Sequence, residues 1–69
     1  MLKLYELVEN LYMKVPFEIV NENDDILIDS DDGWWDVTNA IIDGDSDYSF
    51  KDVSCINFDG NRIVITIKE

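Results

Sequence analysis

The sequence predicts a small single α+β domain over residues 1–69, with an N-terminal helix packed on a four-stranded, mostly antiparallel sheet. Three patterns predict this fold: a helical repeat near the start, strand-like alternation in the first half, and a hairpin signal at the end. They give the element order α-β-β-α-β-β. Because 46% of the residues are hydrophobic, the chain can form a core, and its length leaves no room for a second one.

The first helix is predicted over residues 2–13. Its apolar residues recur at the i, i+3, i+4 and i+7 spacing of an amphipathic helix, namely Leu4, Leu7, Val8 and Leu11. Pro16 ends this helical region, because a proline disfavours helical geometry in the residue before it. Apolar residues then alternate through residues 15–20, which predicts a strand, and Pro16 at its start indicates an edge position. We expect the helix to pack on this strand.

The middle of the chain predicts a second strand and a second helix. The apolar run Ile26-Leu27-Ile28 can pair back on the first strand as a hairpin, and the turn that follows ends at Gly33. Asp36 is a candidate cap for a short helix that Gly44 would end.

Trp34 and Trp35 leave two alternatives open. If this pair is extended, one indole enters the core and the other lies on the exterior, because successive side chains of a strand point to opposite faces. The other possibility is that both indoles lie in the core.

The last third predicts a β-hairpin, Val53 to Phe58 and Arg62 to Ile67, around the turn Asp59-Gly60-Asn61. A register that sets Phe58 opposite Ile63 also sets Ile56 opposite Ile65 and Ser54 opposite Ile67. One face of the hairpin is then apolar, and we expect it to be buried. The loop before it should be held to the body by Tyr48 and Phe50, and Cys55 should be a buried or half-buried apolar residue.

Acidic residues are concentrated in one internal segment. Sixteen acids face five bases in the whole chain. Between Glu22 and Asp52 eleven acids accompany a single cation, Lys51; they are Glu22, Asp24, Asp25, Asp29, Asp31, Asp32, Asp36, Asp43, Asp45, Asp47 and Asp52. Concentrated like charge destabilises a compact state, so this segment is interpreted as a surface that meets a cationic partner.

The same charge excludes several functions. A net charge of −11 and a pI near 4.1 argue against direct binding to nucleic acid or to an anionic membrane. With no histidine, a single cysteine and no nucleophile or phosphate-loop motif, the sequence predicts no enzyme, no catalytic residue and no cofactor. No stretch has the apolar length of a signal peptide or a membrane span, so a cytoplasmic protein is expected.

A calcium site is the alternative interpretation of the acids. Asp43, Asp45 and Asp47 alternate like the first three ligands of an EF-hand loop. That template needs Gly where Tyr48 stands and Glu where Ser54 stands, so only weak, non-specific binding of divalent ions is expected and no dedicated metal site.

Four stretches carry a resemblance in pattern: Leu-Lys-Leu-Tyr-Glu-Leu at the start, Val-Pro-Phe-Glu-Ile, the acidic middle, and Val-Ser-Cys-Ile-Asn-Phe-Asp-Gly-Asn-Arg-Ile-Val-Ile-Thr-Ile at the end. In this the chain resembles small acidic proteins of phages and mobile elements of low-GC Gram-positive bacteria, some of which are anti-CRISPR proteins. The resemblance implies an inhibitor present in the host cytoplasm. Such an inhibitor would occupy the site where a defence nuclease holds DNA.

The resulting hypothesis is a DNA mimic. An array of carboxylates can imitate the phosphates of a duplex and occupy the basic groove of a nucleic-acid-binding protein, including an RNA-guided nuclease. The expected partner-binding residues are Asp24, Asp25, Asp29, Asp31, Asp32, Trp34, Trp35, Asp36, Asp43, Asp45 and Asp47. Neutralising Asp29, Asp31 and Asp32 is expected to preserve the fold. The rival hypothesis is a small phage structural or regulatory module that docks through an apolar edge, with its acidity incidental.

Overall fold

The computed structural model describes residues 2–11 and 15–69, which form a four-stranded sheet with two helices packed on one of its faces. The elements in chain order are α1 (Leu4–Asn10), β1 (Phe17–Val20), β2 (Ile26–Asp29), a one-turn 3₁₀ helix (Ser30–Asp32), α2 (Trp34–Ile42), β3 (Val53–Asp59) and β4 (Arg62–Ile67). This is the predicted α-β-β-α-β-β order, so the predicted fold class is confirmed.

The sheet is mixed, with strand order β2-β1-β4-β3. β2 is antiparallel to β1 and β3 is antiparallel to β4, whereas the two interior strands, β1 and β4, are parallel. The prediction that Pro16 marks an edge strand is therefore wrong. Since β1 begins one residue later, at Phe17, the missing N–H of Pro16 breaks no ladder, and its carbonyl accepts a hydrogen bond from the Ile63 N–H at 3.0 Å.

The core lies between the helices and the two interior strands. It contains Leu4, Leu7, Val8, Phe17, Ile19, Ile41, Ile63, Ile65 and Ile67. In the parallel ladder Phe17 lies beside Ile63 and Ile19 beside Ile65, so both strands present their side chains to the helices in step. The predicted packing of the first helix on the first strand is thereby confirmed.

Helix α1 is shorter than the predicted residues 2–13, and the end of that range, residues 12 and 13, lies outside the described residues. Its first N–H groups, which have no partner within the helix, are bonded elsewhere. The Leu4 N–H donates to the carbonyl of Lys51 at 3.0 Å and the Tyr5 N–H to that of Ser49 at 2.9 Å. The segment before β3 therefore fixes the start of α1.

Helix α2 begins earlier than predicted, because both tryptophans are helical rather than extended. Gly33, at φ 134°, is the N-cap, and Asp36 lies in the first turn instead of capping it. The end agrees with the prediction. Gly44 adopts φ 82°, and the Asp45 N–H donates to the carbonyl of Ala40 at 2.8 Å, which closes the last turn.

The closing hairpin has most of its predicted register. Phe58 pairs with Ile63 and Ile56 with Ile65, but Val53 rather than Ser54 lies opposite Ile67. The cause is an irregularity between Val53 and Cys55, where the chain of β3 gains one residue relative to β4.

Burial of β3 was predicted wrongly. Ile56 is 41% exposed and Phe58 78% exposed, although the residues opposite them on β4 are buried. The helices cover the interior strands, and of β3 only Val53 packs against the core. Cys55 is exposed as well, contrary to the prediction, because the outer strand is left uncovered. The loop before β3 is held by Tyr48, which packs on the core, while Phe50 stays 64% exposed and contacts the Tyr5 ring edge-on.

We predict a large contrast between two apolar residues of the hairpin. Ile65→Ala should lower the free energy of unfolding by about 2–5 kcal/mol, because it opens a cavity beneath both helices. Phe58→Ala should change it by less than about 1 kcal/mol, since a mostly exposed side chain leaves no cavity. Urea unfolding followed by circular dichroism measures both. Equal losses for the two variants would contradict the described burial of β3.

Candidate functional site

The acidic segment is divided among four places in the fold. Glu22, Asp24 and Asp25 lie in the turn between β1 and β2. A second group lies at the end of β2 and in the 3₁₀ helix, a third follows α2 into the next loop, and Asp52 immediately precedes β3. The acids of the segment therefore belong to several different elements of the fold.

Arg62 binds the second group. It stands at the start of β4, and its Nη1 donates to Asp29 Oδ1 at 3.0 Å while its Nη2 donates to Asp31. A longer ion pair, 3.6 Å, joins Arg62 Nε to Glu18 Oε1 of β1. Arg62 is the only arginine of the chain. It thus joins β1, β2 and the 3₁₀ helix to β4, and two of the predicted site residues have a structural role.

The geometry of this cluster changes two pKa values. The pKa of Asp29 is lowered, first because its carboxylate accepts a hydrogen bond from the Asp31 N–H at 2.9 Å, and second because Arg62 donates to it. The pKa of Arg62 is raised by its hydrogen bonds to Asp31 and Asp29. Both shifts favour the charged forms of Asp29 and Arg62.

A second ion pair fixes the N-terminal segment to the start of β3. Lys3 Nζ lies 2.6 Å from Asp52 Oδ1, and the Val53 N–H donates to the carbonyl of Leu2 at 2.8 Å. The hydrogen bond that Lys3 Nζ donates to the Asp52 carboxylate lowers the pKa of Asp52 and raises that of Lys3. Asp52 is thereby neutralised by the body of the protein.

Seven acids of the segment remain exposed and make no ion pair within residues 2–11 and 15–69. Of the eleven acids, Asp29, Asp31 and Asp52 are ion-paired, and Asp32 is left out because its side chain is not described. The remaining seven are Glu22, Asp24, Asp25, Asp36, Asp43, Asp45 and Asp47. Their charges are uncompensated and available to an external cation.

The β1–β2 turn holds its three acids outward. Asn21 organises it, since its Oδ1 accepts hydrogen bonds from the N–H groups of Asn23 and Asp25 at 2.9 and 3.0 Å. Its Nδ2 donates to Glu69 Oε1 at 2.9 Å, which joins the turn to the end of the chain. Asp24 adopts φ 65°, a conformation that asparagine and aspartate tolerate.

The tryptophan pair lies in an open cleft of about 330 Å³. The cleft is lined by Pro16, Ser30, Asp31, Trp34 and Trp35. The indole rings meet edge-to-face, with centroids 5.0 Å apart and planes at 89°. Trp34 is half-buried and packs on the core, whereas Trp35 is 53% exposed. Of the two alternatives for this pair, the one with an exposed indole is confirmed, although the backbone is helical.

Buried Ser30 fixes the wall of this cleft. Its Oγ accepts a hydrogen bond from the Phe17 N–H at 2.9 Å, which joins the 3₁₀ helix to the start of β1 beside Pro16. The cleft combines aromatic and proline surface with one carboxylate. Such a lining can hold an apolar group through the rings and a cationic group through the Asp31 carboxylate and the indole faces.

The structure brings only some of the predicted site residues together. Asp31, Trp34 and Trp35 share the cleft, and Asp36 lies in the same first turn of α2 as the two tryptophans. Asp24 and Asp25 lie at the opposite end of the β1–β2 hairpin, and the acids of the loop after α2 lie beyond the far end of that helix. Sequence reasoning missed Pro16, Ser30 and Arg62. The signal for Arg62 was its uniqueness, whereas nothing in the sequence indicated the other two.

Residues 2–11 and 15–69 contain neither a metal-binding cluster nor a membrane-spanning helix. No group of three or more acids, cysteines or histidines there is arranged to hold a metal ion. No described helix has the length and apolar character that crossing a membrane requires. The chain matches no protein-family model, no curated protein and no solved structure.

We predict that the Lys3–Asp52 ion pair makes stability depend on pH in acid. Because folding lowers the pKa of Asp52, the ion pair contributes fully to the free energy of unfolding above the unfolded-state pKa of about 4. This contribution is lost as the pH falls below that value. The difference in unfolding free energy between the wild type and Asp52→Asn should therefore be constant from neutral pH down to that point, and then shrink. Urea titrations at several pH values measure it.

Lys3→Met serves as the matched control for this prediction, because it removes the same ion pair from the other side. Its difference from the wild type should shrink over the same acidic interval. A difference that stayed constant through the acidic range would show that the pair does not alter the Asp52 pKa.

We also predict that salt stabilises the protein. The exposed acids repel one another over distances comparable with the radius of gyration of 10.5 Å. This is close to the Debye length of about 10 Å at 0.1 M salt, so screening should relieve the repulsion. The melting temperature should rise as NaCl goes from low to moderate concentration. A flat or falling curve would show that repulsion among the exposed acids does not lower the stability of the fold.

Proposed function

We propose that the protein is a non-catalytic inhibitor of the anti-CRISPR type, which occupies the basic DNA-binding groove of a host defence nuclease. The observation that carries this proposal is the set of seven exposed acids without ion-pair partners among the described residues. Solubility of a small domain is served by a net charge of roughly 2 to 8 in magnitude. The charge here is −11, and a cationic partner would relieve the repulsion that it causes.

Two of the described cations support this interpretation, because the fold uses them to neutralise particular acids. Arg62 binds Asp29 and Asp31, and Lys3 binds Asp52. Neither side chain compensates the acids of the β1–β2 turn or of α2 and the loop after it. These exposed groups would meet the lysines and arginines that otherwise hold phosphates, whose density in a duplex is one per about 1.7 Å of axis.

The tryptophan cleft gives the proposed contact an apolar centre. Tryptophan is enriched among the residues that dominate binding energy in protein interfaces. Trp35 is exposed beside Asp31, so an arginine or lysine of the partner could stack on the indole and approach the carboxylate together. In this proposal the carboxylates set the association rate, and the indole, desolvated on binding, sets the dissociation rate.

The rival function is a docking module that uses an apolar edge, and exposed Phe58 on β3 favours it. Salt separates the two functions. Binding through carboxylates weakens steeply as ionic strength rises, because both partners are screened. Binding through an apolar edge is nearly indifferent to salt.

We predict that two clusters can be neutralised without loss of the fold. One variant combines Glu22→Gln, Asp24→Asn and Asp25→Asn, and the other combines Asp43→Asn, Asp45→Asn and Asp47→Asn. The combination of Asp29, Asp31 and Asp32 is not a clean test, because Asp29 and Asp31 hold Arg62. At least one variant should slow association with an RNA-guided nuclease of a low-GC Gram-positive host by tenfold or more. The reason is that each variant removes three of the seven exposed charges that would attract the basic groove.

Trp35→Ala is the matched variant for the apolar centre, and it should mainly speed dissociation. A mobility-shift assay with duplex DNA gives the decisive comparison, because the protein and the duplex should exclude one another from the nuclease. If the nucleases tested bind DNA and the protein at the same time, with affinity indifferent to salt and to both triple variants, DNA mimicry is wrong.

A further inference from the structure

Strand β3 is an open edge of the sheet that carries large apolar side chains. Every residue from Ser54 to Asp59 is exposed. Ile56 and Phe58 extend the apolar face formed by Ile65 and Ile63 beyond the area that the helices cover. The core is therefore continuous with an exposed apolar strip.

Natural edge strands are usually protected from pairing by charges, by proline or by shortness. β3 has few of these protections, because Val53-Ser54-Cys55-Ile56-Asn57-Phe58 contains neither a charge nor a proline, and the irregularity lies only at its start. The other edge, β2, is only four residues long and lies between Asp25 and the Arg62-bound Asp29. Of the two edges, β3 is the one suited to pairing with another strand.

The distribution of charge indicates the direction of that pairing. None of the seven exposed acids without ion pairs lies in β3, and Asp52, just before the strand, is ion-paired with Lys3. Lys51 lies just before the start of β3, and Lys68 is held there because its N–H donates to the carbonyl of Asp52 at 3.0 Å. Asp59 lies at the opposite end of the strand. A second β3 placed antiparallel to the first would bring each Asp59 near the lysines of the other copy.

We propose that β3 pairs antiparallel with β3 of a second copy of this chain, so that two sheets join into one of eight strands. In the register centred on Ile56, the Ile56 side chains of both copies meet, and each Phe58 covers the exposed strip of the other. Seven residues of strand extend roughly 24 Å. The molecule measures 27 × 26 × 19 Å, so the length of the joined edge is comparable with the size of the whole domain.

This pairing gives the open edge backbone hydrogen-bond partners and covers its apolar side chains. Hydrogen-bonded and non-hydrogen-bonded pairs alternate along an antiparallel ladder, so every second residue of β3 points its N–H and C=O away from β4. A second β3 provides partners for these groups, and it also removes Ile56 and Phe58 from water. The proposal does not rest on the proposed function, because β3 contains none of the seven exposed acids and neither tryptophan.

Sedimentation velocity over a range of protein concentrations tests the proposal. We expect a monomer–dimer equilibrium that shifts toward dimer as NaCl is raised, because the two copies repel each other at low salt. Phe58→Lys should weaken dimerisation tenfold or more. Ile26→Lys is the matched control, since it places the same charge on the other edge strand at a side chain that is 61% exposed. It should leave dimerisation unchanged.

Cross-linking provides a second measurement on the unmodified chain. In the proposed register the two Cys55 residues are diagonal neighbours, at about 7–8 Å, so a short bis-maleimide should join them. Cys55 is the only cysteine of the chain, so a cross-linked dimer reports this pair alone. The cross-link should disappear in Phe58→Lys, while the circular dichroism spectrum of that variant stays that of the wild type.

Three outcomes would overturn the proposal. The first is a monomer at every concentration up to millimolar. This result would show that β3 does not pair with a second copy and that any strand pairing with it belongs to a different protein. The second is equal weakening by Phe58→Lys and Ile26→Lys, which would show association through no particular edge. The third is growth beyond a dimer, because a two-fold pairing of β3 with itself closes and leaves no further β3 edge.

Discussion

The structure depends on the burial of Ile63, Ile65 and Ile67 of β4 beneath two short helices. α1 has seven residues and α2 nine, which corresponds to lengths of about 10 and 14 Å. The core that they cover includes the interior strands and contacts Leu27 and Ile28 of β2, but of β3 only Val53 packs against it. The same constraint that forms the core therefore leaves β3 exposed, and the open edge follows from the amount of helix in the chain.

Charge is the second constraint, because the chain places sixteen acids and only five bases around one small core. Two of them, Arg62 and Lys3, form ion pairs between elements that are distant in sequence. Arg62 connects the end of β2 to the start of β4, and Lys3 connects the N-terminal segment to the start of β3. Other acids stay on turns and helix surfaces, where water solvates them. The fold thus separates acids that support its structure from acids that remain available to a partner.

Local patterns made most of the fold predictable from the sequence. The alternation in Arg62 to Ile67 and the turn at Gly60 determine the last hairpin, and Gly44 determines where α2 ends. The interior position of β1 was not predictable from Pro16, because it depends on a parallel pairing with β4, far away in sequence. Burial of Ile56 and Phe58 also depends on what covers them, and a periodic pattern does not contain that information.

The candidate site was less predictable for the same reason. The sequence indicated the acids and the tryptophan pair, but adjacency along the chain is not adjacency in the fold. Asp31 reaches the tryptophans because a 3₁₀ turn and Gly33 fold the chain back, whereas Asp25 is separated from them by the length of β2. The ion pairs of Asp29 and Asp31 with Arg62 depend on the strand order, in which β1 lies between β2 and β4. The sequence alone did not give this order.

The two proposed surfaces would also determine how a dimer meets its partners. Joining two sheets through β3 places seven strand spacings between the two β2 edges, about 34 Å in all. Adjacent strands rotate by roughly 20–25°, so the rotation accumulates to about 150° across the joined sheet. The acidic surfaces beside β2 in the two copies would then point in nearly opposite directions. One groove could not bind both, and a dimer of this kind would bind two partner molecules, one at each end.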